Sequence, residues 1–282
     1  MTRKVRWYPW FLAVALVLWA GPAAATGIVG AKVEGDTLAA KIRLPGGVGA
    51  DLSVSFEQVV GLSAENLGLS ARLLDVADLA LIANRLPSTL VSVPTGFPVL
   101  LTIEPPDTGG LSFSGLVTVE LYTHALTFLP GCPFRLYAAP LGGAFTDITE
   151  SNAGGSYRVR GHKGDFSEFL IVADARAVDS AIAVKFSQLD GELTYQAAAI
   201  DPAVLSTLAA LLDEAEAAYA AGQTVQAIAK VEAFAEVVKQ NSGSGVPDVW
   251  RSARDLANAA GRLRAAASTL RFSLLLKANG AS

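Results

Sequence analysis

The chain has one cysteine and two histidines in 282 residues. A single thiol, Cys132, forms no intramolecular disulfide, so packing rather than cross-linking must hold the fold together. It sits in Pro130-Gly131-Cys132-Pro133, which suits a partly buried, inert thiol, or alternatively an intermolecular disulfide. Two histidines starve a histidine-based metal site or catalytic triad. Charge is sparse as well: 17% of residues are charged, 22 positive and 26 negative. Such a balance gives no field that attracts nucleic acid or anionic lipid. Spanning-length apolar runs are missing too. The run from Phe11 to Ala20 stops at Gly21-Pro22, well short of the ~20 residues a transmembrane helix needs.

What is present begins at the N-terminus. Arg3, Lys4 and Arg6 precede the apolar run, and Ala23-Ala24-Ala25 follows it. This is the layout of a secretory signal peptide over residues 1–25, with cleavage expected after Ala25. No cysteine flanks the site, which excludes lipoprotein processing. The tail over 277–282 offers no anchor, so the mature chain is expected to be soluble, secreted or periplasmic, with no membrane insertion. Without Arg3, Lys4 and Arg6 the balance is 19 positive against 26 negative, a net of −7. A hydrophobic content of 51% argues for well-covered cores and against disorder.

From residue 26 to 174 the pattern is short, β-rich and turn-punctuated. Gly27–Val33 and Thr37–Leu44 read as a strand pair, Leu52–Val60 alternates apolar and polar residues, and Leu69–Leu74 and Val99–Ile103 are strand-like. Leu79–Ala83 suits a strand or a helical turn. Val117 to Tyr122, Phe134–Ala138, Phe145–Ile148, Ser156–Arg160 and Phe169–Val172 complete the set. Strands at this spacing, with Gly and Pro between them, predict an antiparallel β-sandwich or barrel.

After Asp174 the apolar period becomes helical. Val178, Ile182, Phe186, Leu189 and Leu193 form a stripe that predicts a connecting helix over 175–200. Asp201-Pro202 caps a first bundle helix with Leu205, Leu208, Leu212, Ala215 and Tyr219 inward, ended by Gly222. Thr224 is the expected cap of a second, with Ala227, Val231, Phe234 and Val238 inward. Asp248 is the expected cap of a long third, carrying Trp250, Ala253, Leu256, Ala260, Leu263, Ala267, Leu270 and Leu274. The expected fold class is therefore α+β in two domains: a β-sandwich over 26–174, then a three-helix bundle over 201–276.

Two resemblances rest on these residues. The run from Leu205 to Phe234, with Leu211-Leu212-Asp213-Glu214-Ala215-Glu216-Ala217-Ala218-Tyr219 and Ala227-Ile228-Ala229-Lys230-Val231, resembles the FIMAH-type helical module over residues 202–275. That module closes secreted bacterial proteins and has no known chemistry of its own. The stretch from Leu111-Ser112-Phe113-Ser114 to Gly164-Asp165-Phe166-Ser167-Glu168-Phe169 is similar to the closing section of ZU5-like β-sandwich domains, with Asp165 where histidine is common. Together the halves resemble an uncharacterised family of secreted bacterial proteins. The resemblance implies architecture and location, not a reaction.

Candidate chemistry is thin. His162, Asp165, Ser167 and Glu168 lie close together in sequence and suggest a hydrolase with Ser167 as nucleophile and His162 as base. No glycine elbow frames Ser167, and the alternative is a last core strand anchored by Phe166 and Phe169. Glu104 with Asp107, and Asp147 with Glu150, are carboxylate pairs that could serve a glycosidase or calcium, though no loop is rich enough in acids for calcium. Arg251, Arg254, Arg262, Arg264 and Arg271 form a row that is either an anion-binding face or a solvated one. Tyr122, Phe128, Phe134, Tyr137, Phe145 and Tyr157 are either core or, on an outer face, a platform for sugars. These readings point to an exported, non-catalytic interaction or scaffolding protein with no cofactor or metal. Its partner would be a protein or a glycan, not nucleic acid. The alternatives are a carbohydrate- or surface-binding module and a secreted hydrolase.

Overall fold

The computed structural model describes residues 27–129 and 131–281; the signal-peptide reading of 1–25 lies outside them. From the N-terminus, β1 (Ile28–Glu34), β2 (Thr37–Arg43) and β3 (Gly49–Val60) are followed by α1 (Ala64–Leu67), β4 (Leu69–Leu73) and α2 (Val76–Ala83). Next come β5 (Val91–Ser92), β6 (Val99–Ile103), β7 (Ser112–Thr123), β8 (Phe134–Ala139), β9 (Thr146–Asp147), β10 (Thr149–Ala153), β11 (Tyr157–Lys163) and β12 (Glu168–Asp174). The chain ends with α3 (Val178–Gln196), α4 (Pro202–Ala220), α5 (Thr224–Gln240), β13 (Val249–Arg251) and α6 (Ala259–Ala278). The fold is α+β, sheet-rich first and helical afterwards.

Two antiparallel sheets face one another. The first runs β1-β2-β3-β7-β11-β10, and the second β4-β6-β12-β8-β9, with β5 beside β12. Alternation in the strands explains the layering, because successive side chains point to opposite faces. Leu38, Ala40 and Ile42 of β2 and Leu52, Val54 and Phe56 of β3 point inward, where they share a core with Leu101, Leu136, Phe169 and Ile171 of the second sheet. The outer face of the second sheet is covered by α2, whose Ile82 packs with Leu100, Tyr137, Leu170 and Val172. Asp75 caps α2 through Asp78 N and makes Leu79–Ala83 part of a helix rather than a strand.

The helical part departs from a three-helix bundle in two ways. The connecting helix α3 is a full member: its whole stripe, Val178 to Leu193, shares one core with α4, α5 and α6. The third helix also begins later than the periodicity predicts. Residues 249–251 form β13, which pairs with β7 at Val249↔Ser114, Trp250↔Phe113 and Arg251↔Ser112. Arg254 then adopts φ 56°, which no α-helix tolerates. Asp248 caps nothing; its carbonyl accepts Gly115 N–H at 3.0 Å. The cap of α6 is Asn258, whose Oδ1 accepts Gly261 N–H at 2.7 Å while its Nδ2 donates to Gly115 O at 2.6 Å. One side chain thus starts the helix and stitches it to β7. Thr224 is the first residue of α5 rather than its cap. Pro202 and Asp201 start α4 as expected, Asp201 Oδ1 accepting Ala203 N–H at 2.9 Å.

Helix α6 lies across β7, β10 and β11, and this contact forms the seam between sandwich and helices. Two glycines permit the close approach. A Cβ on Gly261 would stand 2.4 Å from Gly115 O, and one on Gly164 would stand 2.4 Å from the Arg262 nitrogen. No helix among the described residues is long and apolar enough to cross a membrane.

Candidate functional site

One concavity among the described residues lies on that seam. Gly164-Asp165-Phe166-Ser167 carries the chain from β11 in one sheet to β12 in the other and passes against the start of α6. The seam leaves a cleft of about 350 Å³. Phe166, Trp250 and Leu256 line it with apolar surface, while Glu104, Ser167 and Arg254 supply polar groups. A second lobe of about 250 Å³, bordered by His162, Gln188 and Glu192, shares Pro140, Gly164, Asp165 and Arg262 with the first.

Trp250 is only 8% exposed. Its ring packs 4.9 Å from Phe166 and 5.4 Å from Phe113, so β13 plugs an aromatic cluster that Phe56 completes. This residue therefore belongs to the sandwich core rather than to the helical one.

The charges divide into fixed and loosely held groups. Arg262 is fixed: Nε lies 2.7 Å from Glu192 Oε1, Nη2 donates to Oε2 at 2.9 Å, and Asp165 Oδ2 is 3.8 Å away. Burial works against its charge, yet the Glu192 bonds and the Asp165 charge outweigh burial and hold its pKa above the usual value. Lys163 Nζ stands 2.7 Å from Asp165 Oδ1. Arg254 is loosely held. Its guanidinium is 3.6 Å from Asp107 and 4.0 Å from Glu104, beyond hydrogen-bond distance. Its φ of 56° costs a non-glycine residue about 1–2 kcal/mol. At the cleft, Ser167 is 2% exposed and its Oγ has no hydrogen-bond partner among the described residues.

The hydrolase constellation is not assembled. His162 lies at the end of β11 and opens to the second lobe, whereas Ser167 precedes β12 and opens to the first. His162 Nδ1 and Ser167 Oγ are both buried and make no hydrogen bond, to each other or to other described residues. Burial lowers the His162 pKa; Glu150 opposes the shift and Arg264 and Arg160 reinforce it. Glu168 turns elsewhere, pairing with Arg85 and accepting Gly142 N–H at 3.1 Å. Of the two carboxylate pairs, only the first shares a partner. Glu104 and Asp107 face Arg254, Asp147 is buried, and Glu150 accepts the Ser151 hydroxyl at 2.7 Å. No group of three or more metal-ligating side chains occurs among the described residues.

The arginine row is not one helix face, and each of its members has an acidic side chain within 4.0 Å. Arg251 pairs with Asp255, Arg264 with Glu57 and Arg271 with Glu232, in addition to the partners of Arg254 and Arg262. The aromatic set is mostly core: Tyr137, Phe145 and Tyr157 are buried, and Phe128 and Phe134 pack against the core between the sheets. Tyr122 alone of the set stands on the outer face of the first sheet, edge-on to His124 at 4.9 Å and under Arg158 at 4.6 Å. Cys132 is free and 8% exposed within the sandwich core.

Lys185 of α3 is 2% exposed. Its ammonium lies 2.7 Å from Asp147 Oδ2 and donates to Ser273 Oγ at 2.8 Å and Thr269 O at 3.0 Å. Burial pulls the Lys185 pKa down and Asp147 opposes that shift. A lysine three residues after Ile182 and four before Leu189 sits on the apolar stripe of α3, and that position was the available signal.

No curated protein and no solved structure matches the chain. A family model described as "Family of unknown function (DUF6689)" matches residues 13–278, and the chain belongs to that family.

Proposed function

We propose that the chain is an exported, non-catalytic interaction or scaffolding protein of the bacterial cell envelope or extracellular space, working through the seam cleft. The observation that carries this reading is the state of the cleft's polar groups. Ser167 and His162 open to different lobes without a hydrogen bond between them, and Arg262 and Asp165 are held in ion pairs. A nucleophile without a base in reach is inert, whereas fixed donors and acceptors beside aromatic surface suit recognition. The layout of residues 1–25 supports export.

The test is to express the full chain in a bacterial host, fractionate the cells and sequence the N-terminus of the recovered protein. The reading expects a start at Thr26 in periplasm or medium. It also expects no turnover of p-nitrophenyl acetate or p-nitrophenyl glycosides beyond that of Ser167→Ala. An intact Met1 in the cytosol, or turnover that Ser167→Ala abolishes, contradicts it.

A further inference from the structure

We infer that the larger lobe of the seam cleft binds a neutral polyhydroxylated ligand of sugar size; this rests on the reading of the chain as a binding protein and names the ligand class. Three independent observations meet there. Ser167 Oγ is buried at the cleft with no partner among the described residues, an arrangement that costs stability unless something completes it. Arg254 is held in the left-handed region with its guanidinium beyond hydrogen-bond distance of either acid beside it, and strain of this kind is kept where function needs it. Phe166 and Leu256, beside the nearly buried Trp250, supply apolar surface next to these polar groups.

The charge pattern selects the ligand class. Two guanidiniums, Arg254 and Arg262, and two carboxylates, Glu104 and Asp165, line the same cleft. A carboxylate ligand attracted by the arginines meets the two acids. An ammonium ligand attracted by the acids meets the arginines. A hydroxyl group satisfies both, because it accepts from a guanidinium and donates to a carboxylate. The apolar C–H face of a sugar ring then lies against Phe166 and Leu256, and a volume of about 350 Å³ falls at the small end of ligand sites.

The experiment is saturation-transfer NMR on the purified full chain with glucose, N-acetylglucosamine and trehalose as probes, and with succinate and putrescine as charged comparators. At least one sugar is expected to receive saturation while succinate and putrescine do not. Ser167→Ala and Arg254→Gly are each expected to weaken that sugar about tenfold or more. Glycine accepts a φ of 56°, so Arg254→Gly is expected to keep or raise the melting temperature while binding falls, an outcome that unfolding cannot mimic. The inference is overturned if no sugar receives saturation, if succinate or putrescine binds instead, or if both variants bind sugar like the parent. Those outcomes, with export and absence of turnover intact, remove the ligand class alone; turnover dependent on Ser167 removes the binding role itself.

Discussion

The sandwich and the helical layer bury their surface by different means, and the seam between them differs from both. The sandwich core relies on bulky side chains at alternating positions, including the cluster of Phe56, Phe113, Phe166 and Trp250. The helical core mixes leucines with alanines such as Ala215, Ala227, Ala260 and Ala267, which let neighbouring helices approach closely. Both are apolar and non-directional. At the seam the contacts become polar and specific: Lys185 with Asp147, Asn258 with Gly115 O, Arg264 with Glu57, Arg262 with Asp165. Apolar burial shapes each layer, while directional partners fix how the layers dock.

The sharpest way to break this contrast is to disturb the buried pair. Lys185→Met leaves Asp147 buried without its cation and is expected to cost about 3–5 kcal/mol in urea unfolding. Adding Asp147→Leu restores most of that, leaving about 1–3 kcal/mol because Thr149 N–H loses Oδ1, its acceptor at 2.9 Å. A core that depended on the pair for cohesion rather than for docking would not recover. Next in size, Gly164→Ala forces a Cβ against the backbone of Arg262 and is expected to cost about 1–3 kcal/mol by thermal melting. Gly191 of α3 is the internal comparison, since nothing lies within 4 Å of a Cβ built there. Gly191→Ala should stabilise by about 0.5–1 kcal/mol, the helix-propensity gain with no seam to disturb.

The smallest effect is the dependence on pH. Burial holds the His162 pKa below its usual value, so near pH 6.5 the unfolded chain takes up a proton that the folded chain resists. Stability is therefore expected to fall as pH drops through about 6.5, and His162→Asn should flatten that step in melts between pH 7.5 and 5.5. The carboxylates of Glu57 and Asp174 shift in the same direction and add to the same trend at lower pH. Burial raises their pKa values, and the hydrogen bonds from Arg264 to Glu57 and from Arg176 and Tyr137 to Asp174 outweigh it and lower them. Their contribution is present above the ordinary carboxylate range and lost as pH falls through the depressed values.

Much of the sandwich was legible because alternation and turn residues are local signals. Leu52–Val60 and Tyr122 to Val117 carry their layer assignment in their own pattern. The α3 and α4 stripes were equally plain. The start of α6 was not. Leu256 and Ala253 fit a helical period, yet tertiary pairing of Trp250 with Phe113 outweighed it, and a strand of three residues leaves no period to read. The two-residue strand β5 escaped for the same reason, and β10, Thr149-Glu150-Ser151-Asn152-Ala153, has no apolar alternation to read. The cleft was partly legible. Ser167, Asp165 and His162 drew attention as a hydrolase set, but their adjacency in sequence hid that β11 and β12 belong to different sheets. Arg254 and Trp250 reach the cleft through the fold, from a segment more than 80 residues away from Ser167.

The seam account is tested most directly through Trp250. Replacing Trp7→Phe, Trp10→Phe and Trp19→Phe leaves Trp250 as the only tryptophan of the full chain. Its fluorescence during urea unfolding reports the β13 plug, while circular dichroism reports the helices. The account predicts one shared transition with a common midpoint, because Trp250 packs in the sandwich core while the same segment leads into α6. If Trp250 becomes solvent-exposed at a urea concentration where the helical signal is still intact, the seam is not what joins the two layers, and the account fails.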